Sequence, residues 1–395
     1  MVRKEVVMLR KLFIMIRTMI VINVKFIFIL SSLLLLFSCK KEENQEWSIA
    51  ITQPKNYVAE GQHVFYLKEG KIISSSATLS NIGNAGWTFP QYGRTTGTTD
   101  ILPDSVVVDY GGLNDKNEMC TYRGGMSLPT KLFDSLFNVG YIKNGKKEKF
   151  KKIITGLAPG GRICVWIDHV EVKRGIVEEE NNYRKFPSII TSKKNYIRDS
   201  VEINTYLKFH PIDYKIWEKS DSRYELDFGF CSEEDNVELH HSFFITKEGI
   251  SYAIYKRYFE RTTFGVPFGE PSSDDLFFGY IQVNEVYNHK FQLPVHSKIE
   301  WKSKTDKDAY YSTDVVFPKD FEKRFKTAYI DPITNKKANY NRIVFGVEKD
   351  QKHCIVWIDG PNKQEKVIRF KANLGNMVEE EGLYSGGYAK EVVYY

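Results

Sequence analysis

Two pairs of carboxylates, Asp109 with Glu300 and Asp168 with Asp359, recur in matching surroundings along this 395-residue chain. Paired carboxylates can divide the roles of proton donor and acceptor, the chemistry of general acid–base catalysis and of glycoside hydrolysis. A carboxylate on a strand or at its end also has a plainer use, accepting hydrogen bonds from the backbone of the next turn, and a duplicated scaffold repeats such features without any catalysis. The structural use is favoured for both pairs. Gly160-Gly161-Arg162 offers backbone N–H groups and a cation to an anion, yet it lacks the other glycines and the lysine of a phosphate-binding loop and reads as a hairpin turn. His240 and His241 are adjacent in a strand, so their rings leave on opposite faces and cannot share one metal. The chain has no G-x-S-x-G, no H-E-x-x-H and no cysteine with a matching histidine. The expectation is a non-enzymatic protein without cofactor or metal, with Asp109, Arg162 and Asp168 as the candidate binding surface. A hydrolase using Asp109 or Asp168 in a cleft is the rival reading.

The most specific chemistry belongs to Cys39. Residues 1–38 carry Arg3, Lys4, Arg10, Lys11, Arg17 and Lys25 against Glu5 alone, and end in 13 uncharged residues from Phe26 to Ser38. That run is short of the roughly 20 residues a membrane-spanning helix needs. A basic region, a short apolar stretch and Leu36-Phe37-Ser38-Cys39 resemble a lipoprotein signal, in which the cysteine thiol takes a diacylglycerol and a small neighbour admits the peptidase. Lys40-Lys41-Glu42-Glu43-Asn44 is similar to the tag that sends many Bacteroidetes lipoproteins to the outer face of the outer membrane, and it equally suits a solvated tether. The expected location is the cell envelope, held by lipid on Cys39. Loss of the leader leaves 50 basic against 49 acidic residues. The pI of 8.7 is then a property of the leader and gives no reason to expect nucleic acid as a partner. Cys120, Cys164, Cys231 and Cys354 are scattered, without metal spacing, and suit buried small hydrophobes.

Behind these residues stands an internal repeat. Gly86-Trp87 matches Gly279-Tyr280, Leu102-Pro103 matches Leu293-Pro294, and Asp109-Tyr110 matches Glu300-Trp301. Further on, Leu128-Pro129 matches Phe317-Pro318, Gly156-Leu157 matches Gly346-Val347, and Val165-Trp166-Ile167-Asp168 matches Val356-Trp357-Ile358-Asp359. All six steps fall 189 to 193 residues apart and in one order. A weaker echo links Glu69-Gly70 to Glu248-Gly249. Around the carboxylates, Val108 and Tyr110, like Ile299 and Trp301, alternate with Asp109 and Glu300 as in strands. After each Leu/Phe-Pro step the apolar residues take helical spacing, at Leu132, Phe133, Leu136 and Phe137 and again at Phe321, Phe325 and Ala328. Phe150–Leu157 and Arg162–Asp168 form a hairpin across Ala158-Pro159-Gly160-Gly161, where Pro then Gly fits a type II turn. Copy two closes Arg342–Val347 onto Cys354–Asp359 with Glu348–Lys352, a polar turn without glycine. Trp166 and Trp357 read as core.

The predicted organisation is a signal peptide over 1–38, a tether over 39–46, a first repeat domain over 47–222 and a second, more divergent one over 223–395. The polar stretch Ile176 to Asp221 links them, with a short helix at Ile212, Ile216 and Trp217. A final strand at Lys366–Ala372 precedes a Gly/Tyr tail expected to fray. The fold class is α+β: two tandem related domains, each a mainly antiparallel sheet with one short helix.

The Gly86-Trp87 step, the LPDSVVVDY strand, the LP helix and the GLAPGGRICVWID hairpin resemble the bacterial lipoproteins grouped as domain of unknown function 2931. The resemblance covers most of Trp47–Tyr224 and, more weakly, Tyr224 to Leu374, where copy two lacks the APGG turn. It carries no catalytic residues to transfer, and the setting of some relatives beside toxin-like effector genes implies an immunity or binding role. The functional expectation is an envelope-anchored binding protein with a protein partner, such as a toxin neutralised in immunity fashion. A surface glycan is the alternative ligand.

Overall fold

A computed structural model describes residues 46–57, 59–80, 86–87, 94–95, 99–143, 145–168, 170–179, 204–234, 236–255, 290–306, 308–375, 377–378, 383–384 and 387–395. The stretch expected to be a signal peptide, Cys39, the expected tether up to Gln45, most of the linker and the Gly279-Tyr280 step lie outside the described residues.

Copy one runs β1 (Ser48–Thr52), β2 (Ala59–Lys68), β3 (Lys71–Ser80), β4 (Ser105–Leu113), β5 (Met119–Ser127), α1 (Thr130–Val139), β6 (Lys152–Ala158), β7 (Arg162–Ile167) and β8 (Val170–Ile176). These make two sheets. The inner one has the order β1-β6-β7-β8, and the outer one has β5-β4-β2-β3, flanked by two short strands. Copy two repeats the plan with β9 (Asp227–Ser232), β10 (Val237–Thr246), β11 (Ser251–Tyr255), β12 (Pro294–Ser303), β13 (Tyr310–Val316), α2 (Phe321–Lys326), β14 (Arg342–Val347), β15 (His353–Gly360), β16 (Lys363–Lys371) and β17 (Lys390–Tyr394). Its inner sheet is β9-β14-β15-β16-β17 and its outer sheet β13-β12-β10-β11. Each inner sheet begins with one parallel pair, β1 on β6 and β9 on β14, and the other pairings of these strands are antiparallel. A bulge falls at the same step in both, between Val165 and Trp166 and between Val356 and Trp357. Two α+β domains of one topology therefore stand in tandem.

The landmarks of the repeat have physical reasons. Tyr110 crosses from the outer sheet to donate its hydroxyl hydrogen to the carbonyl of Ala158, 2.6 Å away, at the APGG turn. Its counterpart Trp301 donates Nε1–H to the carbonyl of Gln351 in the other turn, at 3.0 Å. Gly156 is small because Trp166 and Trp87, packed edge to face at 5.0 Å, would stand 2.6 and 2.7 Å from any Cβ there. Gly160 takes φ 67° and ψ 30°, as a type II turn requires at its second centre. Copy two closes its glycine-free turn by other means. Gln351 takes φ 61°, and Asp350 accepts from the N–H groups of Lys352 and His353 at 3.0 Å each. Phe133 and Phe137 of α1, and Phe321 and Phe325 of α2, are the buried stripes of the two helices. Gly140, at φ 68°, ends α1 and returns its N–H to Leu136.

The central strands β6 and β7 of the inner sheet of copy one are buried on both faces, which is why ICVWI is apolar throughout rather than alternating. Ile153, Leu157, Ile163, Val165 and Ile167 face the outer sheet. Ile154, Cys164 and Trp166 face a second core, shared with Trp217 of the linker and continuous with that of copy two. All four described cysteines are buried free thiols, and burial pushes Cys231 up to about 12. Among the described residues no helix is long and apolar enough to cross a membrane.

Two expectations change. The linker helix is split: residues 204–209 are helical, and a 3-10 turn follows at Tyr214–Trp217. Pro211 separates them, since it disfavours helical geometry at His210, and Asp213 caps the second piece through Lys215 N–H. The described end of the tail, residues 387–395, does not fray. Lys390–Tyr394 pairs with β16 as a fifth strand, and Tyr395 N–H reaches the carbonyl of Val367 at 3.1 Å. The open edge of β16 offers unpaired backbone groups, and a Val-Val run fits it.

Candidate functional site

The register of the outer sheets aligns the candidate carboxylates with residues that spacing alone did not connect. In copy one His63 lies opposite Asp109, and Asp109 opposite Arg123. In copy two His241 lies opposite Glu300, and Glu300 opposite Ser312. One step along each strand of that face, Phe65 pairs with Val107 and Phe243 with Lys298. A His-x-Phe triplet thus marks the same strand in both copies, with an acid across from its histidine. That short motif was the available sequence signal.

The two faces differ in what covers them. In copy one His63, Ala77, Arg123 and Gly125 are exposed, while Phe65, Ser75 and Val107 are half-buried. Asp109 is 19% exposed, 3.7 Å from an Arg123 that is 56% exposed. This is a solvent-facing sheet surface with a shallow apolar strip beside a charged row. In copy two the face is closed, with Glu300 at 1%, Ser312 at 0% and His296 at 3% exposure. Glu300 accepts from Tyr310 at 2.8 Å and Ser312 at 2.9 Å, and burial raises its carboxyl above the usual range. Farther along, His296 Nε2 meets Asp314 Oδ1 at 2.9 Å. Burial works to raise the Asp314 carboxyl, and the hydrogen bond and charge of His296 more than offset it, holding it low. Rings from elsewhere in the chain lie on this part of the face: Tyr206, His210 and Tyr388 come within 5.3 to 5.6 Å of His296, centre to centre. Residues 373–375 and 387–389 also lie along the open edge of β13, where Ser312 N–H donates to Asn373, Asp314 N–H to Gly387 and Ala389 N–H to Asp314.

Asp109, Arg162 and Asp168 are not brought together. Asp109 lies on the outer sheet. Arg162 and Asp168 bracket β7, roughly 20 Å apart for a strand of that length. Arg162 donates to the carbonyl of Gly160 at 2.6 Å and to Glu218 at 2.7 Å, and stacks 4.5 Å from the centre of the Tyr214 ring. It ties the hairpin to the linker. Pro159, Gly160 and Gly161 are buried, with Tyr214 packed over the turn, so the Gly-Gly pair serves the hairpin. Asp168, at φ 48°, accepts from Lys151 N–H at 2.8 Å. Burial raises its carboxyl in spite of that bond. Asp359 is fully buried, 3.5 Å from Arg342. A bulge between Leu239 and His241 turns His240 toward Glu300, 3.9 Å away. Among the described residues Glu348, Asp350 and His353 have metal-ligand spacing, but Arg369 holds both oxygens of Glu348 at 2.6 and 2.7 Å.

Elsewhere the surface opens into a concavity of about 400 Å³, lined by Tyr224, Phe325, Lys326, Asn339, Tyr340 and Asn341 among others. No curated protein and no solved structure matches the chain. The family model described as "Protein of unknown function (DUF2931)" matches it twice, over residues 38–215 and 215–393, meeting within the 3-10 turn of the linker. The chain belongs to that family, as two tandem copies.

Proposed function

We propose that this is a lipid-anchored envelope protein, held through Cys39 in the outer membrane, whose copy-one outer sheet binds a protein partner without catalysing a reaction on it. The observation that carries the reading is the contrast between equivalent faces: around Asp109 the sheet is open, and around Glu300 it is closed, with segments of the same chain on the His296 end of it. A surface able to seat polypeptide in one copy is a fitting receptor for polypeptide in the other. The charged row His63–Asp109–Arg123 beside Phe65 and Val107 gives the mixed character of such an interface. Neutralisation of a toxin in immunity fashion is the specific form proposed. A hydrolase on Asp109 or Asp168 has less support, since one is paired to Arg123 on an open sheet and the other is spent on a backbone amide.

A photo-crosslinking residue at position 63, in cells producing the protein, tests this. A discrete protein adduct lost on Arg123→Glu is expected; no adduct, or one indifferent to that charge reversal, refutes the assignment of the face. One observation favours glycan as a second reading, the concavity rimmed by Tyr224, Tyr340, Asn339 and Asn341. Aromatic faces beside amides suit sugar rings, and a glycan-array signal abolished by Tyr340→Ala would move the function there.

A further inference from the structure

The closed face of copy two holds two imidazole nitrogens that are fully buried without a hydrogen-bond partner, Nε2 of His210 and Nδ1 of His296, beside the hydroxyl of Tyr206, which is within reach of Tyr57. An unpaired buried polar atom forfeits its bond to water without replacement, and native proteins keep few such atoms. Here they belong to two rings in contact with each other and with the ring of Tyr206. Tyr206 lies 4.3 Å from His210 and 5.3 Å from His296, and the two imidazoles are 5.6 Å apart, centre to centre.

We propose that His210 and His296, with Tyr206 as a third donor, bind a single borderline divalent cation of the zinc class, and that Asp314 positions His296 for it. An imidazole nitrogen sits about 2.0–2.1 Å from zinc, which puts each ring centre about 3 Å from the ion and two tetrahedrally disposed rings about 5 Å apart. The observed separation fits. Asp314 accepts from Nε2 of His296 at 2.9 Å, which keeps the proton on that nitrogen and leaves the Nδ1 lone pair for the ion. This is the usual second contact of a metal-binding histidine. Tyr206 and His210 are four residues apart at the end of the 204–209 helix and so share a face. Imidazole and phenol donors suit zinc, copper or nickel better than magnesium or calcium. An ion here fastens the linker to β12, joining the segment between the copies to the outer sheet of copy two.

The test is titration of the chelator-stripped full chain with Co²⁺. One equivalent should bind, with the intense visible bands of a four-coordinate site, and be displaced by Zn²⁺. His210→Gln and His296→Gln should each weaken binding by at least about 100-fold, and Asp314→Asn by about 10- to 100-fold. His353→Gln should leave it unchanged. X-ray absorption of the Zn²⁺-loaded wild type, which needs no variant to fold, should report two imidazole ligands. Absence of stoichiometric binding, a site with fewer than two imidazoles, or binding that survives His296→Gln but is lost in His353→Gln overturns the proposal.

Discussion

Arg174 of copy one and Glu248 of copy two meet at 2.9 Å, guanidinium to carboxylate, with the carboxylate 1% exposed. Around them Gln292 donates to the same carboxylate at 2.8 Å, Asp221 donates its backbone N–H, and Trp217 Nε1–H reaches the carbonyl of Glu248 at 3.0 Å. Burial still raises the Glu248 carboxyl above its ordinary range, with Arg174 pulling it back. Removing one partner of such a pair leaves an uncompensated buried charge, worth about 3–5 kcal/mol. Arg174→Met should lose about that much in urea unfolding near neutral pH. The folded state already holds the Glu248 proton more tightly than the unfolded chain, and more so without Arg174. The deficit should therefore shrink as pH falls through the raised pKa toward 4.5. A deficit that grows on acidification would contradict the assignment.

The hydroxyl of Tyr110 is predicted to matter apart from its ring. Tyr110→Phe keeps the packing but leaves the carbonyl of Ala158 without this donor inside the core. A loss of about 1–2 kcal/mol is expected by thermal or chemical denaturation.

Gly70 and Gly249 occupy equivalent hairpin turns, at φ 74° and 81°. Nothing lies within 4 Å of a Cβ at Gly70, whereas one at Gly249 would stand 2.5 Å from the Cβ of Pro54. Gly70→Ala should cost only the left-handed backbone, about 1 kcal/mol. Gly249→Ala should cost clearly more, because the carbonyl of Gly249 also accepts from Lys55 at 2.9 Å and Trp87 at 3.0 Å. Equal melting-temperature shifts in the two variants would show that the turn does not bear on copy one.

Palmitate feeding should label the wild-type protein and not Cys39→Ala, which should leave the membrane fraction. Label retained by that variant would exclude Cys39 as the anchor.

The repeat, the hairpins, both helices and the aromatic core were legible in the sequence because each leaves a local trace: a period, a turn residue, or an apolar stripe. The open and closed outer faces were not. Asp109 and Glu300 lie between apolar neighbours of the same kind along the chain, and what tells them apart comes from across the sheet and beyond: Arg123 beside Asp109, Tyr310 and Ser312 on Glu300, and Tyr206 and Tyr388 on His296 farther along. His210, His296 and Asp314 stood out by no spacing, since a sheet register and a linker turn bring them together. The tail misled for a related reason: a Gly/Tyr-rich segment looks weak alone, and its strand is supplied by the edge of β16.

The turn at Glu248-Gly249 is buried in the other copy while its counterpart at Glu69-Gly70 stands in solvent. The contact is thus directional, with a plug from one copy, a socket in the other, and no twofold exchange between them. Twins of one fold live under unequal constraint. At the plug, a change of size meets Pro54 and Trp217 and is answered across two domains. At the free turn, only the backbone angle has to be satisfied, so the same ancestral residues have room to drift, or to acquire a contact of their own.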